Sequence, residues 1–247
     1  MQFTNTFNNI ITCGDTHGDI MPLVFKINDQ YKIENSLIII VGDVGIGFYN
    51  DGFYTNLFKK AAKLLEGKGN ILLFLRGNHD DPEKWNDYEP FKAHWKDSES
   101  NIRFVKDYTV ILAKTDKKEY SILCVGGALS VDRTNRTPGK NYWVGESFIY
   151  DESKVENLTG ITDVITHSCP DFCEPILKIG LENWMAIDKD IEVDCTKERQ
   201  DHTLLYNKLK EKNKIYRWHY GHMHFSWHMR IDDTLFRLLD IMELSEI

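Results

Sequence analysis

"IIIVGDVGIG" (Ile38–Gly47) is the stretch on which the reading of the fold turns. A β-branched run enters an aspartate enclosed by Gly42, Gly45 and Gly47. Such a run suits a strand buried on both faces, and its polar end suits a tight turn at the strand tip. The glycine spacing matches neither the dinucleotide fingerprint nor a P-loop, and no Lys-Ser or Lys-Thr follows it. Two readings of Asp43 stay open here: a turn former, or a carboxylate held at the tip for chemistry.

The same design recurs on both sides. "NIITCGD" (Asn9–Asp15), "ILLFLRGNHD" (Ile71–Asp80), "YSILCVGG" (Tyr120–Gly127) and "DVITHS" (Asp163–Ser168) each run from apolar residues into a polar tip. Helices are expected over Ile20–Tyr31 and Phe53–Leu65, which makes right-handed βαβ units of the first three strands. Further on, "NIRFVKDYTVILAK" and "EYSILCVGG" flank "TDKK", and "FSWHMRI" and "LFRLLDI" flank Asp232-Asp233. Both pairs read as antiparallel hairpins. Parallel units followed by hairpins predict an α/β protein: two sheets packed as a sandwich and covered by helices. No linker rich in Pro, Gly or Ser divides the chain, so one domain is expected over residues 1–247. Lys197–Lys212 reads as a surface helix, and Phe172–Lys212 is otherwise the least legible region.

Composition narrows the class. The net charge of −8 argues against a broad nucleic-acid or anionic-membrane footprint, which needs a basic face. The N-terminal "QFTNTFNN" lacks the basic and apolar regions of a signal peptide, and no apolar run approaches a membrane span. Five cysteines form no CxxC pair in a chain too large to need stapling, so reduced thiols in a cytoplasmic protein are expected.

In open α/β sheets, ligands bind outside the carboxyl ends of the strands. Those ends carry Asp15 and His17 ("GDTHGD"), Asp43, Asn78 and His79 ("RGNHD"), His167 ("ITHS"), and His222 and His224 ("YGHMH"). Each alone reads as a turn former or a satisfied polar residue. Together, carboxylate, imidazole and amide oxygen make a mixed N/O ligand set suited to Mn²⁺, Fe²⁺ or Zn²⁺. No cysteine sits at a matching position, which argues against a structural zinc site.

These motifs, in this order, resemble the calcineurin-like metallophosphoesterase family, whose pattern is D-x-H, GD, GNH with D or E, a lone His, then GHxH. The resemblance spans Asp15 to His224. It implies a four-layer αββα sandwich of two mixed sheets flanked by helices. It also implies two divalent metal ions, with Mn²⁺ first in line and Fe, Zn, Ni or Mg as alternatives. Asp15, His17 and His224 would hold one ion and Asn78, His167 and His222 the other, with Asp43 bridging them. His79 would face the substrate. The implied activity is hydrolysis of a phosphate ester by water ionised between two ions roughly 3.5–4 Å apart. A small phosphomonoester, a nucleotide and a phosphoprotein all remain candidates for that ester.

One departure limits the resemblance. In the branch containing phosphoprotein phosphatases and diadenosine tetraphosphatases, the second motif reads GDxxDRG. Here Ile46 replaces the aspartate that orients the active-site histidine, and Gly47 replaces the phosphate-binding arginine. The bacterial and phage metallophosphoesterases, to which the chain is similar, carry a "GGA-S-DR" segment like Gly126–Glu146 here. Arg133 and Arg136 in that segment are candidate phosphate clamps, because an arginine fork grips phosphate bidentately. The plain alternative is a loop ion pair between Asp132 and Arg133 beside a solvated Arg136. Arg76 reads as an anchor for a nearby carboxylate.

Other residues read as structural. His94, His202 and His228 read as surface or packing histidines, and His219 is either a residue that supports the metal ligands from behind or a strand-face residue. Cys169 and Cys173 read as unreactive loop thiols. Tyr142, Trp143 and Trp184 could stack a nucleobase, though core or lid packing explains them as well. Two alternatives to the phosphoesterase remain: a nuclease or phosphodiesterase acting on nucleic acid, and a non-catalytic metal-stabilised module.

Overall fold

The apolar run that opens "IIIVGDVGIG" alternates between two cores. Ile38 and Ile40 face one hydrophobic cluster, while Leu37, Ile39 and Val41 face another. All five are fully buried, which explains why this strand lacks a polar face. In the computed structural model, which describes residues 1–85, 100–176 and 180–247, this strand lies near the centre of a five-stranded sheet.

That sheet runs β12–β2–β3–β4–β5, comprising Leu244–Glu246, Asn9–Cys13, Ser36–Ile40, Ile71–Phe74 and Ile102–Phe104. β2 to β5 are parallel and β12 is antiparallel to β2. The second sheet has seven strands in the order β1–β6–β7–β8–β9–β11–β10. They are Gln2–Phe7, Thr109–Thr115, Glu119–Val125, Asp163–Thr166, Arg217–Tyr220, Thr234–Leu238 and Trp227–Ile231. It is mixed, with antiparallel β6/β7 and β10/β11 pairs.

The clusters define the layers. Helices α1 (Ile20–Phe25) and α2 (Asp51–Glu66) cover one face of the smaller sheet through Ile20, Leu23, Phe58 and Leu65. Between the sheets, Ile39, Val41 and Leu73 meet Ile111, Ile122 and Ile165. On the far face, Leu205, Tyr206 and Leu209 pack on Trp218, Tyr220 and Phe236. The result is the expected αββα sandwich. At roughly 1.5–3 kcal/mol for each fully buried aliphatic or aromatic side chain, these layers dominate the stabilisation.

Several boundaries differ from the sequence expectation. The first helix passes into a π-helical turn over Lys26–Gln30. α2 starts at Asp51 because the Asn50 side chain caps it, accepting the Phe53 N–H at 3.0 Å. "NIRFVKDYTVILAK" is not one strand. Ile102–Phe104 joins the small sheet and Thr109–Thr115 the large one, and Tyr108, with φ 62, turns the chain between them. The polar "QFTNTF" is an edge strand whose only buried residues are Phe3 and Phe7. After the short helices α3 (Pro82–Trp85) and α4 (Glu182–Ile187), the expected surface helix is a longer one, α5 (Ile191–Lys210). It buries Glu198, Arg199 and His202 among its apolar contacts, which hides its amphipathic pattern. The two hairpin turns, at Asp116–Lys118 and Asp232-Asp233, agree with the expectation. Among the described residues, no helix is long and apolar enough to cross a membrane.

Candidate metal centre

Parallel strands from both sheets end along one edge, and the eight tip residues meet there. Asp15 and His17 follow β2, Asp43 follows β3, and Asn78 and His79 follow β4. His167 follows β8, and His222 and His224 follow β9. Four of them, His17, Asp43, His222 and His224, hold left-handed backbone at φ 46, 50, 69 and 52. Non-glycine residues seldom adopt this conformation, and they concentrate at functional sites when they do. Gly42 lets the chain bend here. Its φ is 132, and a Cβ at this position would lie 2.1 Å from His167 Nδ1.

The ligand atoms form two groups that share one carboxylate. Asp15, His17, Asp43 and His224 present atoms within 4.8 Å of one another, as do Asp43, His167 and His222. His224 Nε2 is 3.2 Å from Asp15 Oδ2, and His17 Nε2 is 2.9 Å from His224 Nε2. In the second group His167 Nε2 lies 3.2 Å from Asp43 Oδ1 and 3.1 Å from Asn78 Oδ1. Asn78 therefore joins the second group through its amide oxygen.

The arrangement fits bound cations. Asp43 Oδ2 is buried without a hydrogen-bond partner among the described residues, a costly state for a carboxylate oxygen unless a cation meets it. His167 Nδ1–H donates to the Val41 carbonyl at 3.0 Å, which leaves the Nε2 lone pair facing the ligand set in the neutral ring. Burial alone would lower the His167 pKa, but the Asp43 and Asp15 carboxylates overcome it and raise it to about 9. Burial would likewise raise the Asp43 pKa, yet His167, with His79 and His17, holds it well below the carboxylate range. The site thus concentrates negative potential where positive charge can sit. Burial pushes His222 down to about 3, which keeps its ring neutral.

Sequence reasoning assigned no role to Asp80, although it is the last letter of the quoted "RGNHD" motif. Its buried carboxylate accepts the N–H groups of Val44 (3.1 Å), Gly45 (2.8 Å), Ile46 (2.9 Å) and Gly77 (2.8 Å). It therefore fixes the turn that carries Asp43 against the tip that carries Asn78. Ile46 sits buried where the resemblance would place an aspartate.

The two candidate arginines part company. Arg136 reaches the half-buried His79, with Nη2 2.9 Å from Nε2 and Nη1 3.4 Å from Nδ1, and its Nε donates to Asp132 at 2.6 Å. Arg133 is held by two carboxylates, Asp188 at 2.6 Å and Asp194 at 2.7 Å. Burial lowers the His79 pKa to about 4; Asp43 opposes this and Arg136 adds to it. Phe48, 40% exposed, lies beside His79 and meets Trp143 edge-on at 4.9 Å.

The remaining residues serve the scaffold. Arg76 pairs with Asp107 at 3.0 Å and donates to the Glu146 carbonyl at 2.5 Å. His219 joins the sheets through Thr12 Oγ1 at 2.7 Å. His202 is buried and its Nδ1–H donates to the Glu198 carbonyl at 3.0 Å, whereas His228 is exposed on β10. His94 lies outside the described residues. Cys169 and Cys173 are buried free thiols, Trp143 is buried, and Trp184 packs beside Leu181 and Ile191.

Comparison with known proteins places this geometry. Residues 9–226 match the calcineurin-like phosphoesterase family, and the chain belongs to that family. Family members are dinuclear metal-dependent hydrolases of phosphate esters, and the two Asp43-centred groups here could hold metal. Similar folds include TT1561 of Thermus thermophilus, at 11% identity, 96% coverage of this chain, 91% of that chain and a TM-score of 0.54. Another is phosphopantetheinyl hydrolase from Mycobacterium tuberculosis, at 12% identity, 97% and 96% coverage and a TM-score of 0.54. A search among curated proteins finds no match.

Proposed function

We propose that this chain is a dinuclear metal-dependent phosphoesterase acting on a small phosphate ester. The observation that carries the reading is Asp43, one buried carboxylate common to both ligand groups whose Oδ2 has no hydrogen-bond partner among the described residues. Asp15, His17 and His224 would hold one ion, and Asn78, His167 and His222 the other. Two divalent ions, Mn²⁺ foremost, would supply Lewis-acid charge to the phosphoryl oxygens and lower the pKa of water to about 7. Neutral imidazoles and an amide add donors without adding negative charge that would repel a phosphate.

His79 stands at the rim of this group, and its neutral ring would donate an N–H hydrogen bond to the departing ester oxygen. Arg136 serves as the anion clamp that Gly47 does not provide, its guanidinium already lying against the His79 ring. Arg133, paired with Asp188 and Asp194, keeps the clamp loop in place. Five free, buried thiols fit a reducing, cytoplasmic setting.

The experiment is metal analysis of the purified protein together with hydrolysis of aryl phosphate mono- and diesters. Mn²⁺, Ni²⁺, Zn²⁺ and Mg²⁺ are supplied separately. Hydrolysis that depends on an added divalent ion is expected, and a protein that binds none of them refutes the reading.

A further inference from the structure

The Gly126–Glu146 segment does more than supply cations. Its ends close on each other: the Ala128 N–H donates to the Glu146 carbonyl at 3.2 Å, and the Ser130 N–H donates to Glu146 Oε1 at 2.7 Å. The Glu146 carboxyl is thereby held at Ser130, and its Oε2 is buried with no hydrogen-bond partner among the described residues. In turn, Ser130 Oγ accepts from Asn78 Nδ2 at 3.0 Å, and Asn78 Oδ1 faces His167 Nε2 at 3.1 Å. Ser130, Glu146, Asn78 and His167 are all at most 2% exposed, so bulk water does not compete for these groups.

A primary amide carries an acceptor at one end and a donor at the other, and only its oxygen end can meet a cation. A serine hydroxyl alone cannot choose between the ends, since it both donates and accepts. A hydroxyl whose proton is taken by a carboxylate can only accept, and it then pulls the NH₂ end of the amide toward itself.

We propose that Ser130, with its hydroxyl proton held by Glu146, is a positioning residue that sets the Asn78 amide with its oxygen toward the second metal subsite. The assignment rests on the dinuclear reading, and it explains why a serine follows "GGAL" in this segment. Outer contacts of this kind set metal affinity by about 10- to 100-fold.

The test is calorimetric titration of metal-free protein with Mn²⁺. In Ser130→Ala, one of the two sites should weaken about 10- to 100-fold, while the other stays within about threefold. In an Asn78→Asp background the amide choice is gone, because both carboxylate oxygens accept. There Ser130→Ala should change Mn²⁺ affinity by less than about threefold. Glu146→Gln leaves Ser130 in place and puts a donor where the acceptor stood. It should weaken the same site and be equally silent beside Asn78→Asp. Equal weakening in both backgrounds, or no weakening in either single variant, overturns the proposal. A wild-type protein that binds no Mn²⁺, nor any other divalent ion, instead overturns the phosphoesterase reading beneath it.

Discussion

The two halves of the candidate metal centre carry similar donors, but several of their side chains sit in different surroundings. His17 and His224 keep 28% and 42% of their side chains exposed, and their imidazole nitrogens mainly meet each other and the carboxylates. His167 and Asn78 are sealed from water, and each is fixed by a group that is no ligand: the Val41 carbonyl and the Ser130 hydroxyl. His167 and Asn78 are therefore held in place by the protein itself, whereas His17 and His224 rest mainly on each other and on the carboxylates. Preorganised ligands lose less freedom on binding, so the two halves should differ in affinity although their donors are similar.

The largest expected effect comes from the residue that both halves share. Asp43→Asn should remove both ions at micromolar metal and lower turnover by about 10³-fold or more, measured by metal analysis beside ester hydrolysis. His79→Asn should leave both ions bound and cut the rate by about 10²- to 10⁴-fold. Unchanged hydrolysis would show that its role is misassigned.

Breaking one half at a time sharpens the contrast. His224→Ala should weaken a single ion about 10- to 100-fold and leave the melting temperature of the metal-free protein nearly unchanged. His167→Ala should weaken the other ion and also lower the metal-free melting temperature, because it opens a cavity among fully buried groups. Matching behaviour of the two variants would erase the distinction drawn between the halves.

The smallest effect lies away from the centre. Burial lowers the His202 pKa to about 3, so the folded chain keeps this ring neutral while the unfolded chain protonates it near 6.5. Stability from this residue is complete above pH 6.5 and falls as pH drops toward 3, by at most about 1.4 kcal/mol per pH unit. His202→Phe, beside Phe148, should flatten that part of the acid-side slope in denaturation curves taken at pH 7.5 and pH 5.

The side chains that converge on the candidate centre were legible in the sequence. A carboxylate or imidazole at the end of an apolar run announces itself, and all eight tip residues converge on one edge. The strands around them were legible for the same reason, since Leu37–Val41 can only belong between two apolar layers. Elements whose burial depends on distant partners were not. "QFTNTF" pairs with β6 through its backbone, and α5 can bury Arg199 because the Pro170, Cys173 and Pro175 carbonyls accept from its guanidinium. Asp80, Ser130 and Glu146 act through hydrogen bonds to groups that folding brings close. The separation of Arg133 from Arg136 depends on Asp188 and Asp194, more than 50 residues away in the chain.

Everything in the proposed chemistry depends on one carboxylate serving two ions. Anomalous diffraction at the manganese edge from Mn²⁺-soaked crystals tests it most directly. Two peaks roughly 3.5–4 Å apart are expected, with Asp43 in contact with both and Asn78 Oδ1 on one. A single peak, or two peaks of which Asp43 touches only one, would contradict it.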